Sequence, residues 1–359
     1  MPNFMKKILL VDDSALMRSV LGAIINNDPR FQVEDRAGDG IEALGLLKTK
    51  MYDAVVLDVN MPRMDGLTLL KELGKAGIHT RVMMLSTDTT DGAKVTMDAL
   101  ELGALDFIHK PSTASECREG SFASEMLDTL YAVSESRAAA TKAFSISDIQ
   151  SERKMMNIVA RDAGKVTGNR IVAIASSTGG PRALQAVIPH LPKNLKTPVV
   201  LVQHMPVGFT ASLADRLNSL SELNVKEAED GEEIRPGWVY IARGGIHMEI
   251  LTRGGKHTIR FKEGPPREGV KPCANFMYES LADSDYDEIV CVVMTGMGAD
   301  GTEGIKNLKK KKKVHVIAQD AETSTVYGMP KAVATSGLTD QVVPLTSIAT
   351  EIVMSVGVT

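Results

Sequence analysis

Ile8-Leu9-Leu10-Val11-Asp12-Asp13-Ser14 sets a short apolar run directly before two acids and a serine. Ala54-Val55-Val56-Leu57-Asp58 repeats the device, and Ile174-Ala175-Ser176-Ser177-Thr178-Gly179-Gly180 places hydroxyls and a glycine pair after a third apolar run. Short apolar runs that stop abruptly at polar residues read as buried strands. Working outward from the first of them, strands are expected at 7–11, 31–36, 54–57, 82–85 and 105–108. Helices are expected from near Ser14, Asp39, Asp65 and Asp91, whose side chains suit helix entry. This βα rhythm predicts a doubly wound, five-stranded parallel sheet covered on both faces.

A further helix is expected over 124–142, where Met126, Leu127, Leu130 and Val133 recur at helical spacing, and residues 144–169 read as a polar linker. The βα pattern then resumes, with strands at 171–175, 199–202, 289–295 and 314–318 and helices from Pro181, from Thr210 and over 347–355. Between residues 225 and 261 the glycines and the Pro236-Gly237 pair predict antiparallel hairpins inserted into the second sheet. The expected organisation is therefore a first α/β domain at 1–123, a helix and linker at 124–168, and a second α/β domain at 169–359.

At 359 residues the chain has room for two independent cores. A net charge of −4 supplies no general attraction to nucleic acid or to an anionic membrane. The lysine run at 309–313 reads as the solvated end of a helix, because no aromatic residues accompany it as a nucleic-acid site would require. Three scattered cysteines form no metal or disulfide pattern and suit a reducing cytosol. The amino-terminal stretch lacks the form of a signal peptide, and no apolar run approaches the ~20 residues of a membrane span. A cytoplasmic location without membrane insertion is expected.

In an open parallel sheet, ligands collect beyond the carboxyl ends of the strands. Asp12, Asp13 and Asp58 lie at two such ends, and clustered carboxylates call for a hard divalent cation such as Mg²⁺. The same geometry offers Asp58 as a nucleophile toward phosphorus, with Ser86 and Lys110 at the next strand ends as partners for phosphoryl oxygens. Downstream, Ser177, His204 and Asp300 each follow an apolar run, so three strands could bring a hydroxyl, a base and an orienting carboxylate to one rim. Each has a plainer reading: a phosphate-cradling loop for Ser177, a strand-end histidine for His204, and a cap on the helix beginning near Thr302 for Asp300.

Val11-Asp12-Asp13-Ser14, Leu57-Asp58-Val59-Asn60-Met61-Pro62, Ser86-Thr87 and Phe107-Ile108-His109-Lys110-Pro111 resemble the response-regulator receiver family over residues 5–111. The resemblance implies a flavodoxin-like fold, Asp58 as phosphoacceptor, Asn60 joining the three aspartates around Mg²⁺, Phe107 as a switch aromatic, and a histidine kinase as phosphodonor. Ser177-Thr178-Gly179-Gly180-Pro181, Gln203-His204-Met205-Pro206, Thr295-Gly296-Met297-Gly298-Ala299-Asp300-Gly301 and Tyr327-Gly328-Met329-Pro330 resemble the chemotaxis protein-glutamate methylesterase family over residues 169–355.

That second resemblance implies a cofactor-free Ser177–His204–Asp300 triad, with Thr178 and Met297 beside it. It also implies methyl-accepting chemotaxis receptors as substrate and, in some members, glutamine deamidation. Departures from the family pattern fall at Ala175-Ser176, Arg243, Asn275 and Lys312-Lys313. Alternatives on the same residues are a serine acyl hydrolase acting elsewhere and a non-catalytic, phospho-responsive binding protein.

Overall fold

A computed structural model describes residues 5–86, 90–111, 113, 116–118, 120–136 and 168–358. The chain divides into two compact units, Met1–Ala143 and Phe144–Thr359. The expected linker falls largely outside the described residues.

The first unit holds strands β1 (Lys6–Val11), β2 (Phe31–Ala37), β3 (Ala54–Asp58), β4 (Val82–Ser86) and β5 (Asp106–His109), all parallel, in the order β2-β1-β3-β4-β5. Three helix entries are capped as expected. Ser14 accepts from Met17 N–H, Asp39 from the amides of Ile41 and Glu42, and Asp65 from that of Thr68. The order reverses at β1, so the carboxyl ends of β1 and β3 lie side by side and Asp12 meets Asp58.

The helix expected at 124–142 instead spans Gly120–Glu135, and it is not part of a linker. Phe122, Met126, Leu130 and Val133 pack into the core of the first unit with Ile8, Leu10, Met83 and Leu85. Burying that stripe against the sheet ties the helix to the receiver-like half.

In the second unit, β6 (Arg170–Ser176), β7 (Val199–Gln203), β8 (Asn224–Glu227), β9 (Trp238–Ile241), β12 (Glu288–Val293), β13 (Lys313–Gln319) and β14 (Gln341–Val343) form one parallel sheet, ordered β14-β13-β12-β6-β7-β9-β8. A separate antiparallel pair, β10 (His247–Arg253) and β11 (Lys256–Lys262), is joined at Gly254-Gly255. The structure thus corrects the expectation for 225–261. Only β10–β11 is a hairpin, whereas β8 and β9 pair in parallel. The stretch 228–237 is long enough to return the chain to the start of the sheet, so its Pro236-Gly237 pair ends a crossover rather than turning a hairpin.

The lysines at 309–313 are individually engaged. Lys309 reaches the Leu338 carbonyl at 2.7 Å, Lys310 meets Asn307 at 2.7 Å, and Lys311 meets Asp283 at 3.0 Å. Lys312 donates to the Ser284 and Tyr286 carbonyls, and Lys313 pairs with Glu288 at 3.3 Å. They tie the end of the helix Thr302–Lys309 to its neighbours.

Candidate functional site

Each unit gathers its sequence-predicted residues at the carboxyl edge of its own sheet. In the first, carboxylate oxygens of Asp12, Asp13 and Asp58 lie within 4.8 Å of one another. Lys110, just past β5, places its ammonium 2.6 Å from both Asp12 and Asp58. Burial, and then the charges of Asp12 and Asp13, pushes the Asp58 pKa up despite Lys110. Burial works against the Lys110 charge, but Asp58 and Asp12 outweigh it and raise its pKa. One ammonium therefore leaves three crowded carboxylates under-neutralised, and an all-oxygen donor set of this kind fits a hard divalent cation.

Ser86 sits at the end of β4, fully buried, but its hydroxyl accepts from Thr96 at 2.6 Å and donates to the Gly92 carbonyl at 3.3 Å rather than joining the acidic cluster. Phe107 is buried in β5, and Asn60 is exposed just beyond β3.

In the second unit the strand order reverses at β6, which is flanked by β7 and β12. Ser177 follows β6, His204 follows β7, and Asp300 lies on the loop after β12. His204 Nε2 bonds Asp300 Oδ2 at 2.8 Å, while the buried Nδ1 has no hydrogen-bond partner among the described residues. No hydrogen bond joins Ser177 Oγ to His204. Burial would raise the Asp300 pKa, but hydrogen bonds from His204, Cys273 and Ala274 outweigh it and hold the carboxylate below its ordinary value.

Asp300 is not the cap of the following helix. Gly301 occupies the cap position, and Asn275 Oδ1 accepts from the amides of Gly301 at 3.1 Å and Gly304 at 2.6 Å. The departure at Asn275 thus braces the loop that carries Asp300. Ser176 is fully buried and hydrogen-bonded to Gln203 Oε1 at 2.7 Å, whereas Ser177 is half-buried. Arg243 is exposed.

Gln203, quoted in a motif but given no role by the sequence, links the two strand ends. Its Nε2 donates to the Ser177 carbonyl at 2.9 Å and the His204 carbonyl at 3.0 Å. A Cβ on Gly180 would lie 1.9 Å from Gln203 Oε1, so a larger residue there would displace the side chain that makes these bonds. Similarly, a Cβ on Gly296 would lie 2.7 Å from that of Ser177.

The amides of Ser177 and Gly296 are committed to the carbonyls of Thr295 and Val326, while those of Thr178 and Met297 donate to nothing among the described residues. Thr178 is buried, and Met297 is 42% exposed. Cys273 also touches the site, through Asp300, and sequence reasoning missed it because its spacing resembles no metal or catalytic pattern.

Two family models match this chain: "CheB methylesterase" over residues 172–352 and "Response regulator receiver domain" over residues 8–120. The chain belongs to the CheB methylesterase family. A relative from Geobacillus kaustophilus, named protein-glutamate methylesterase/protein-glutamine glutaminase, is 43% identical over 98% of this chain and 99% of its own length. One of the same name from Pyrococcus abyssi is 42% identical over 98% of this chain and 93% of its own. The crystal structure of the Thermotoga maritima CheB methylesterase catalytic domain matches with 46% identity and a TM-score of 0.50, covering 53% of this chain and 99% of that one. The CheB assignment agrees with the enzyme, receiver and chemotaxis reading of the sequence. Among the described residues, no helix is long and apolar enough to cross a membrane.

Proposed function

We propose that this CheB-family chain is a phosphorylation-controlled serine hydrolase that cleaves γ-glutamyl methyl esters on methyl-accepting chemotaxis receptors in the cytoplasm, releasing methanol. The observation that carries this reading is the His204 imidazole, tied to Asp300 through Nε2 and unpartnered at Nδ1, on a strand end that neighbours the one carrying Ser177. With the proton on Nε2, Nδ1 is the basic nitrogen that takes the Ser177 proton as Oγ attacks the ester carbonyl. Asp300 stabilises the imidazolium that results.

The free amides of Thr178 and Met297 supply donors for the oxyanion, since those of Ser177 and Gly296 are occupied. The imidazolium then protonates departing methanol, and the same histidine activates the water that frees glutamate. A glutamine side chain would follow the same course with ammonia leaving.

In the first unit, Asp58 is the phosphoacceptor for a phosphohistidine kinase. Asp12, Asp13, Asp58 and Asn60 would hold Mg²⁺, which supplies charge neutralisation for the incoming phosphoryl group. Lys110 pairs with the phosphorylated group, and Ser86 would have to exchange its bond to Thr96 to reach it, which would carry the change toward Phe107. The test is time-resolved methanol release from methylated receptor, with and without a small phosphodonor and Mg²⁺. Phosphodonor-stimulated release is expected, and a folded protein that releases none under either condition defeats the proposal.

A further inference from the structure

Four donors converge on the Asp300 carboxylate. Oδ2 accepts from His204 Nε2 at 2.8 Å and from Ala274 N–H at 2.6 Å. Oδ1 accepts from Asn275 N–H at 3.0 Å and from the Cys273 thiol at 3.0 Å. Three of these donors come from consecutive residues, 273–275, in a segment that the Asn275 side chain locks to the Asp300 loop.

We infer that Cys273 is a positioning residue of the esterase site, its S–H fixing the plane and the basicity of Asp300. The inference rests on the triad reading above.

Its physical basis is the occupancy of Oδ1. The Asn275 amide alone gives Oδ1 one donor against two on Oδ2, whereas the thiol adds a second donor from another direction and so holds the carboxylate plane with Oδ2 toward the imidazole. Burial, then the Asp300 charge, pushes the Cys273 pKa up to about 12, so the group stays a thiol and a donor. A thiol in that state is a poor nucleophile and a poor metal ligand, which leaves hydrogen bonding as its chemistry.

The other charged or titratable groups around the pair are His204, His247, whose Nδ1 accepts from the Cys273 amide at 3.2 Å, the buried Tyr278 phenol, Arg267 near Cys273, and Glu268, bonded to Asn275 at 2.7 Å. Removing the thiol leaves more negative charge on Asp300 to attract the His204 proton. The enzyme then needs a higher pH to free its base.

The experiment uses the full-length protein and two readouts. The first is the infrared S–H stretch of Cys273, isolated as a difference spectrum against Cys273→Ser. A low-frequency band is expected, shifting upward in Asp300→Asn as the acceptor loses its charge. The second is the pH profile of kcat/KM. Cys273→Ala should lose about tenfold, equivalent to ~1.4 kcal/mol, mainly in kcat, with the acidic limb moved to higher pH. Cys273→Ser, which keeps a donor, should restore both.

A band indifferent to Asp300→Asn overturns the inference, as does a Cys273→Ala profile whose limb stays in place. If Cys273→Ala folds poorly, the infrared comparison still decides. Failure of the triad reading is separately visible as turnover surviving in Ser177→Ala.

Discussion

Replacing Asp300 by Asn tests the charge and geometry of the proposed triad together. The carboxylate accepts from His204 and Ala274 on one oxygen and from Cys273 and Asn275 on the other. An amide keeps one oxygen and must turn its NH₂ toward one donor pair. The 2.6 Å bond from Ala274 favours keeping oxygen at the Oδ2 position, which also preserves the proton on His204 Nε2. The NH₂ then faces the Asn275 amide, leaving a buried N–H unpaired at a cost of ~1–3 kcal/mol in stability.

The larger loss is catalytic. At the observed contact of 2.8 Å, an imidazolium and a carboxylate attract by about 6 kcal/mol at an effective dielectric of ~20, and by about 4 kcal/mol if the charge centres are ~4 Å apart. At ~1.4 kcal/mol per decade, the expected fall in kcat/KM is ~10³–10⁴-fold. The assay is methanol release from methylated receptor, with circular dichroism confirming the fold. A folded Asp300→Asn enzyme within about tenfold of the parent would refute the assignment of Asp300 as the group that stabilises the imidazolium.

Ser177→Ala should lose at least ~10⁴-fold in turnover while receiver phosphorylation continues. Ser176→Ala should keep most of its turnover and lose ~1 kcal/mol of stability with its bond to Gln203, so reversed outcomes in methanol release would move the nucleophile to Ser176. Asp58→Asn should abolish stimulation by phosphodonor plus Mg²⁺ and leave basal release, whereas undiminished stimulation sinks the Asp58 switch. Because the folded pKa of Asp58 is raised, its ionisation opposes folding as pH rises through that value. Asp58→Asn should therefore raise the melting temperature of the first unit at neutral pH, as read by scanning calorimetry.

Asp300 carries the opposite sign. Its depressed pKa contributes stability present above the ordinary carboxylate range and lost as pH falls through its folded value, so Asp300→Asn should flatten the acid limb of the stability curve. Deleting residues 1–144 should raise unphosphorylated methanol release if the receiver restrains the esterase. A folded 145–359 fragment slower than the unphosphorylated full chain would contradict restraint.

Most strand positions, the parallel architecture and the placement of the candidate residues at strand ends were legible in local sequence, because the central strands are continuous apolar runs and the helix entries at Ser14, Asp39 and Asp65 carry their own capping oxygens. The same local signals placed Ser177, His204 and Asp300 after apolar runs. They could not distinguish β8–β9 from a hairpin, since pairing direction depends on how far an intervening segment travels. Nor could they assign the helix Gly120–Glu135 to the first unit, because its apolar stripe acquires a partner only when β1 and β4 are assembled. The donors around Asp300 and the Gln203 link between the Ser177 and His204 backbones join residues distant in the chain. Hydrogen bonds are short-ranged and directional, so these contacts exist only after β6, β7 and β12 lie side by side.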